Sequence, residues 1–350
     1  MTQMKYQYLK PEDIQHFLQH GWLRVPDALK QEYVDRWMAD MWTRVGYDPS
    51  DKSTWHTEYM HIPRHREIRH EDFSPKGWAA ICDLVGGEDK LHDLYERWVG
   101  DQFVCNFGSA ERTMQVEEPI KSRKTWHIDN DWFRQFLDSS NVALTVIHCF
   151  TDIPKRGGGT ILCEDGLKGM CEHYYNHPEG FDPPYHNTGT FDIIQKCERF
   201  STSEAKAGDV ILLHGLLPHT NSLNYLHYAR IITNPHACLK EPLNFDREDG
   251  NYSLIEQVIL ERLGRKSLPE WKIARERANY HPRTDGFRRA RVREELDRLV
   301  AAAKAKGLDE SHVESIHLRG EAAIKEHERR HAYDLPLGPH GLRMDPLKMA

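Results

Sequence analysis

The stretch GDVILLHGLLPH, residues 208–219, has the pattern of a buried strand, a turn and a histidine that opens the next segment. Other β-rich runs surround it, at residues 102–107, 142–150, 160–163 and 228–233. Turn residues separate these runs, notably the three glycines at 157–159. Many short strands without βαβ alternation favour an antiparallel barrel or a double-sheet jelly roll over a doubly wound fold.

Helical patterns precede the β-rich region. Pro11 stands at a first helical position, and Gly21 stands where that helix should end. A brief strand is predicted at 22–25, followed by a second helix whose apolar residues are Val34, Trp37, Met38 and Met41. Both helices are expected to pack on a sheet. Residues 44–80 show no clear period and are predicted to form a long ordered loop.

The composition changes near residue 240, beyond which the chain is densely charged. Ser253 with Glu256 predicts a helical capping box, and apolar residues at helical spacing continue to Gly307. We therefore expect a mainly β jelly-roll domain with N-terminal helices over residues 1–240. Residues 241–350 should form a charged helical extension packed on that core and ending in a Pro-rich stretch. The extension presents either a solvated face or a homodimer contact.

Charge and hydropathy narrow the classes of partner. The 350-residue chain has a formal charge of −7, which argues against nucleic acid as the main partner. No apolar run is long enough for a membrane span, and the first ten residues lack a secretory signal. The expected compartment is therefore the cytoplasm. The seven cysteines include no CxxC pair and are interpreted as reduced, mostly buried thiols.

The sequence Trp126-His127-Ile128-Asp129 places an imidazole and a carboxylate two residues apart. In extended backbone, residues two apart lie on the same face, so one metal ion can bind both. A histidine from elsewhere in the chain would complete a two-histidine, one-carboxylate facial triad with open coordination positions. His-x-acid pairs also occur at His70, His177 and His312, but these lie in predicted loops or in the charged tail.

Several motifs together resemble the phytanoyl-CoA dioxygenase family of Fe(II)- and 2-oxoglutarate-dependent oxygenases. The resemblance covers roughly residues 9–236. It rests on motifs that agree in order and spacing: the opening at 9–25, Trp126 to Asp129, Gly157 to Thr160, Gly208-Asp209, His214-Gly215, His219, Asn224 and Arg230.

The resemblance implies a double-stranded β-helix core in which His127, Asp129 and His219 bind Fe(II). It favours His219 over His214, because the family's ligand is the second histidine of its His-Gly…His pattern. It also implies that Arg230 binds the distal carboxylate of 2-oxoglutarate, a task that suits the planar guanidinium. The implied reaction consumes O2, oxidises a small organic molecule, in most cases by hydroxylation, and releases succinate and CO2.

Three further residues are candidates for contact with the co-substrate. Asn106 precedes the metal motif on one predicted strand, and Thr145 follows it on another. For both, the alternative is ordinary sheet packing. Asn221 comes two residues after His219, where relatives often carry a small hydroxyl residue.

Candidates for substrate contact lie beside the metal motif. Trp132 and Phe133 either wall the substrate pocket or belong to the core. Arg123, in a basic group with Lys121 and Lys124, either meets an acidic substrate or a CoA phosphate, or faces solvent.

Other functions remain open from the sequence. The same centre supports desaturation, epoxidation or ring rearrangement, and a non-catalytic jelly-roll protein that binds a metal or ligand is a second class. A nucleic-acid demethylase of the same superfamily is disfavoured by the net charge. Related halogenases replace the carboxylate with a small residue, so Asp129 argues against halogenation.

Overall fold

Short helices and short strands alternate along the chain, and a computed structural model describes residues 6–183, 189–280 and 285–331. The helices are α1 Pro11–His20, α2 Gln31–Met38, α3 Met41–Val45, α4 His70–Phe73, α5 Pro75–Val85, α6 Ala110–Thr113, α7 Gly166–Asn176, α8 Thr190–Ile194, α9 Leu254–Arg262, α10 Asp285–Ala305 and α11 Glu321–Arg330. The strands are β1 Trp22–Val25, β2 Tyr59–His61, β3 Glu67–Arg69, β4 Trp98–Gly100, β5 Val104–Asn106, β6 Leu144–Cys149, β7 Thr160–Cys163, β8 Phe200–Thr202, β9 Val210–His214, β10 His219–Asn221, β11 Arg230–Thr233 and β12 His236–Ala237.

Two antiparallel sheets form the core of the fold. The large sheet has the strand order β1-β9-β6-β11-β5-β2, with β12 paired to β6, and the small sheet has the order β10-β7-β8. From β6 onward the chain passes repeatedly between them, because β7, β8 and β10 belong to the small sheet while β9 and β11 belong to the large one. This double-sheet connectivity with flanking helices is the jelly-roll arrangement that the sequence predicts.

The first predicted helix and the strand at 22–25 are confirmed, but the predicted second helix is divided, because α2 ends at Met38 and Met41 begins α3. Helix α1 begins at Pro11 and ends before Gly21, whose φ of 77° is the left-handed conformation that glycine adopts without strain. Phe17 of α1 and Trp37 of α2 are buried in the main core. The ring of Trp37 stacks on Phe73 with centroids 4.7 Å apart, which fixes α2 against α4 beside the large sheet.

The prediction of a long loop at 44–80 is wrong. This segment contains β2, which pairs with β5 in the large sheet, as well as β3, α4 and the start of α5. Strands β2 and β3 have three residues each. Alternation of apolar and polar residues cannot be recognised over so few positions, and the partners of these strands lie far along the chain.

The charged tail folds as helices that are fastened to the core. The predicted capping box is present at the start of α9, where Ser253 accepts a hydrogen bond from the backbone of Glu256 and donates its own amide to that side chain. Ile255 and Val258 of this helix are fully buried. The division at residue 240 stays a prediction, and the Pro-rich stretch expected after 331 lies outside the described residues.

A buried ion network holds α10. The guanidinium of Arg44 in α3 bonds Glu295 of α10 at 2.9 Å and Asp101 at 3.0 Å, and all three side chains are completely buried. The Glu295 carboxylate also lies 3.2 Å from Nε2 of His65. Burial of charge is tolerated only when each charge is paired, so the position of α10 depends on this match.

All seven cysteines are free thiols, and all but Cys238 are buried. None of the helices in the described ranges combines the length and apolar character needed to cross a bilayer.

We predict that Glu295→Gln lowers the free energy of unfolding by about 3–5 kcal/mol, because it leaves a buried positive charge partly uncompensated. Chemical denaturation followed by circular dichroism measures the change. The matched control is Glu294→Gln on the exposed face of the same helix, expected to change stability by less than about 0.5 kcal/mol. Equal stability of the two variants would show that the ion network does not hold α10.

Candidate metal centre

Two backbone hydrogen bonds bring the separated histidines together. The amide of His127 donates to the carbonyl of His219 at 3.0 Å, and the amide of His219 donates back to the carbonyl of His127 at 2.9 Å. His219 begins β10, so this bridge attaches the segment around residue 127 to the small sheet. The imidazole rings consequently lie side by side, with centroids 4.4 Å apart.

The orientation of both rings is set by backbone carbonyls. Nδ1 of His127 lies 2.6 Å from the carbonyl of Thr125, and Nδ1 of His219 lies 3.0 Å from the carbonyl of Leu217. Because a carbonyl can only accept a hydrogen bond, each Nδ1 carries a proton, which leaves Nε2 as the nitrogen available to a metal. Fixing the tautomer of a ligating histidine through its other nitrogen is typical of metal sites.

The Asp129 carboxylate completes a three-residue cluster. Its Oδ1 lies 3.7 Å from Nε2 of His127, and its Oδ2 lies 3.6 Å from Nε2 of His219. Ligand atoms that share one ion at about 2.0–2.2 Å lie about 3–3.5 Å apart, so a small contraction would place all three around one ion. Two imidazoles and one carboxylate are the donor set of a facial triad.

The charge states suit a cation. Burial alone would raise the pKa of Asp129, but the neighbouring His219 and His236 reverse that effect and hold the pKa well below its usual value. Burial, assisted by His127, lowers the pKa of His219 to about 4. At neutral pH the site therefore offers an ionised carboxylate and a neutral His219 imidazole, the forms that bind metals.

His214 occupies a different environment from His219. Its Nε2 lies 3.1 Å from the carbonyl of Ile255, and its Nδ1 accepts the amide of Leu216 at 3.0 Å. Both ring nitrogens are thus used inside the core at the end of β9. The structure brings His219, and not His214, to Asp129.

Arg230 is buried with little to neutralise it. It is 1% exposed, its Nη1 donates to the Val104 carbonyl at 3.3 Å, and its Nε has no hydrogen-bond partner. No carboxylate among the described residues forms an ion pair with it. Burial lowers the pKa of Arg230, and the nearby Tyr59 hydroxyl partly offsets this effect. A buried guanidinium without a carboxylate is costly, which indicates a site for an anionic ligand.

Tyr59 was missed by sequence reasoning because it lies in the segment predicted as a loop. In the large sheet Tyr59 stands opposite Asn106, which in turn stands opposite Arg230. The Tyr59 hydroxyl contacts both Arg230 and Asn221. Of the predicted co-substrate residues, Asn106 therefore stands beside Arg230 in the sheet, and Asn221 contacts the tyrosine that Arg230 also contacts.

The predicted co-substrate residues have other partners as well. Nδ2 of Asn106 donates to the Ser222 carbonyl at 3.0 Å. Gly158, with φ at 79°, lies so close to this amide that a Cβ there would be 2.5 Å from Nδ2, which accounts for glycine in the turn. The hydroxyl of Thr145 donates to Oδ2 of Asp129 at 2.6 Å, so it supports the carboxylate directly.

The residues predicted to contact substrate lie near the cluster but differ in their surroundings. Phe133 is 1% exposed and packs in a small apolar cluster with Trp132 and Val142. The indole of Trp132 also faces the ring of His236, with centroids 5.0 Å apart. Arg123 is buried, donates to the Asn221 carbonyl at 3.1 Å, and has an unbonded Nε.

His236 and Glu96, like Tyr59, are residues whose role the sequence did not reveal. Nε2 of His236 lies 3.3 Å from Oδ2 of Asp129, and Nδ1 lies 3.9 Å from Glu96. Burial opposes a charge on His236, but the two carboxylates outweigh burial and raise its pKa to about 9. The only signal in the sequence was the position of His236 at the end of the segment covered by the family resemblance.

A cavity of about 510 Å³ adjoins these residues. Tyr59 and His236 line it from the core, and Arg291, His327 and His331 line it from the charged tail. Its size falls within the range of small-molecule sites, about 300–1,000 Å³. A larger cavity of about 860 Å³ lies between α1 and α9. His127, Asp129 and His219 line neither cavity, but His236, which lines the smaller one, lies 3.3 Å from Asp129.

Two other groups of side chains have the composition of metal sites: Glu67 with His327 and His331, and Cys163 with Asp165 and Cys197. Glu67 is already paired with Arg330 at 2.8 Å and with Arg64 at 3.6 Å, and these two cations disfavour a metal. Burial raises the pKa of the Cys163 thiol, which disfavours the thiolate that binds metals.

The fold and the site together define a jelly-roll protein with a candidate mononuclear centre of two histidines and one carboxylate. No family model matches the chain, and no curated protein matches it.

Several solved structures are similar to this chain at low identity. HygX from Streptomyces hygroscopicus with nickel, 2-oxoglutarate and hygromycin B is 14% identical, with 66% of this chain and 88% of HygX covered and a TM-score of 0.38. EctD from S. alaskensis with 2-oxoglutarate and 5-hydroxyectoine is 13% identical, with coverages of 67% and 79% and a TM-score of 0.35.

We predict that His219→Ala weakens binding of a divalent ion to the apoprotein by more than about 100-fold, since losses from outer-shell changes alone reach that size. Calorimetric titration with Co(II) measures the affinity. His214→Ala is the control, because His214 lies outside the cluster and its loss should leave the Co(II) affinity unchanged. The reverse pattern would assign the third ligand to His214.

Proposed function

We propose that this protein is a mononuclear non-haem Fe(II)- and 2-oxoglutarate-dependent oxygenase that oxidises a small organic substrate, with hydroxylation as the simplest outcome. Succinate and CO2 are the other products. The observation that carries the proposal is the pairing of two features in one core: the His127, Asp129 and His219 cluster, and the buried Arg230, for which the described part of the chain supplies no carboxylate partner. The motif resemblance to the phytanoyl-CoA dioxygenase family supports the same conclusion.

The residues present fit the proposed metal. Fe(II) in enzymes of this class is held by two histidines and one carboxylate with positions left open. Both histidines here present Nε2 toward Asp129 because their Nδ1 atoms are engaged by backbone carbonyls. When bound, Fe(II) with 2-oxoglutarate and O2 supplies the oxidising power for the reaction, which the protein side chains alone do not have.

The surroundings of Arg230 fit the proposed co-substrate. A dicarboxylate bound at the metal through its keto acid end leaves a second carboxylate that needs a fixed cation. Arg230 offers an unbonded Nε in a fully buried position, and the hydroxyl of Tyr59 lies beside it. A planar guanidinium binds a carboxylate through two parallel hydrogen bonds, so it also orients the molecule.

The chain's own residues would then orient the reactants and exclude water. Thr145 holds Asp129 in place through a 2.6 Å hydrogen bond. The cavity of about 510 Å³ gives the substrate a position beside His236, which lies 3.3 Å from Asp129, and the tail residue Arg291 lines the same cavity. We propose Arg123 as a contact for an acidic group on the substrate, because its guanidinium is buried with an unbonded Nε.

We predict that Arg230→Gln raises the dissociation constant of 2-oxoglutarate by at least about 30-fold, the equivalent of about 2 kcal/mol for losing one partner of a buried charge pair. Arg230→Lys should lose less, because it keeps the charge but not the planar fork. Calorimetry with the metal-loaded protein measures the binding, and succinate release in the presence of O2 measures turnover.

The matched control is Arg134→Gln. Arg134 is also a buried arginine, but Asp182 already neutralises it at 2.6 Å, so 2-oxoglutarate binding should not change. An unchanged dissociation constant in Arg230→Gln would assign the anchoring to another residue. Absence of 2-oxoglutarate-dependent succinate release from the wild type would favour a non-catalytic binding protein instead.

A further inference from the structure

His236 lies between two carboxylates at the edge of the proposed metal centre. It belongs to β12, which pairs with β6 so that His236 stands opposite Thr145. Nε2 of the ring is 3.3 Å from Oδ2 of Asp129, and Nδ1 is 3.9 Å from Oε1 of Glu96. The side chain is almost completely buried, and the indole of Trp132 packs against one side of the ring. The ring is therefore held in one place from several directions.

The backbone conformation of Glu96 is unusual. Its φ of 58° lies in the left-handed region that non-glycine residues rarely adopt. Oε2 of this side chain accepts the backbone amide of His236 at 3.3 Å, while Oε1 faces the His236 ring. Strained backbone persists where the surrounding structure determines it, and such residues cluster at functional sites. Glu96 is thus held in a strained conformation in which its carboxylate meets both the ring and the backbone amide of His236.

The two oxygens of Asp129 have different environments. Thr145 donates to Oδ2 at 2.6 Å, and Nε2 of His236 lies 3.3 Å from the same oxygen. Oδ1 instead faces Nε2 of His127 at 3.7 Å. Both supporting residues belong to the large sheet, whereas His219 belongs to the small sheet. Oδ2 is consequently held from the large sheet, and Oδ1 is the oxygen directed at His127.

We propose that His236, supported by Glu96, is a positioning residue that fixes the Asp129 carboxylate through Oδ2 in the orientation in which the carboxylate faces His127 and His219. The inference rests on the proposed metal centre. His236 is not itself a ligand in this arrangement, because the three-residue cluster with atoms within 4.8 Å of one another comprises His127, Asp129 and His219 among the described residues. Residues that orient a ligating carboxylate support a metal site without binding the metal themselves, and their loss weakens metal binding.

The test is Co(II) titration of the apoprotein, which needs no turnover. His236→Ala should weaken Co(II) binding by about 10–100-fold, the range for loss of an outer-shell partner. His236→Gln keeps an N–H group in the same position and should recover most of that loss. Glu96→Gln, which removes the charge behind the ring, should give a smaller loss. Thermal unfolding of each variant verifies that the fold is intact.

The control is His317→Gln. His317 lines the same cavity but bonds the Arg64 carbonyl at 3.0 Å, away from Asp129, so its loss should not change Co(II) affinity. A folded His236→Ala variant that binds Co(II) as tightly as the wild type would overturn the inference. If His236→Ala does not fold, unchanged affinity in Glu96→Gln overturns it.

The same titration separates this inference from the proposed function. If the wild type binds Co(II) no better than His219→Ala, the metal centre itself is refuted. If the wild type binds tightly and His236→Ala binds equally well, the metal centre stands and only the role of His236 is refuted.

Discussion

The reciprocal pair of backbone hydrogen bonds between His127 and His219 is the contact on which the site depends. It attaches an irregular segment to the small sheet and sets two imidazoles side by side. Because Asp129 follows His127 by two residues in extended backbone, its carboxylate is directed toward the same place. Thr145 and His236 then reach that carboxylate from the large sheet. The candidate centre is thus built where the two sheets of the jelly roll meet, and any change in their spacing alters the ligand geometry.

Much of this arrangement was accessible from the sequence for physical reasons. Residues 208–219 contain a strand that is buried throughout its length, so its apolar run is continuous and its ends are marked by glycine and proline. The His-x-Asp spacing has one geometric meaning in extended backbone, and the structure places His127 and Asp129 accordingly. Arg230 was recognisable from its place in the strand that follows His219 and from the family resemblance, and it is fully buried.

The residues that sequence reasoning missed are defined by partners rather than by local pattern. Tyr59 lies in a three-residue strand, too short to show alternation, and its role follows from its place opposite Asn106. Glu96 and His236 are meaningful only because they meet each other and Asp129. Glu295 resembles a surface charge in a charged helix, yet it is completely buried against Arg44. Hydrophobic periodicity cannot identify a buried charge whose partner is far along the chain.

We propose that one core of this protein binds Fe(II) and 2-oxoglutarate together. Anaerobic titration of the apoprotein with Fe(II) and then 2-oxoglutarate tests it directly, because the chelate has a weak visible charge-transfer band. We predict that this band appears in the wild type, is absent in His219→Ala and is retained in His214→Ala. A wild-type protein that binds both components without the band, or that binds neither, would contradict it.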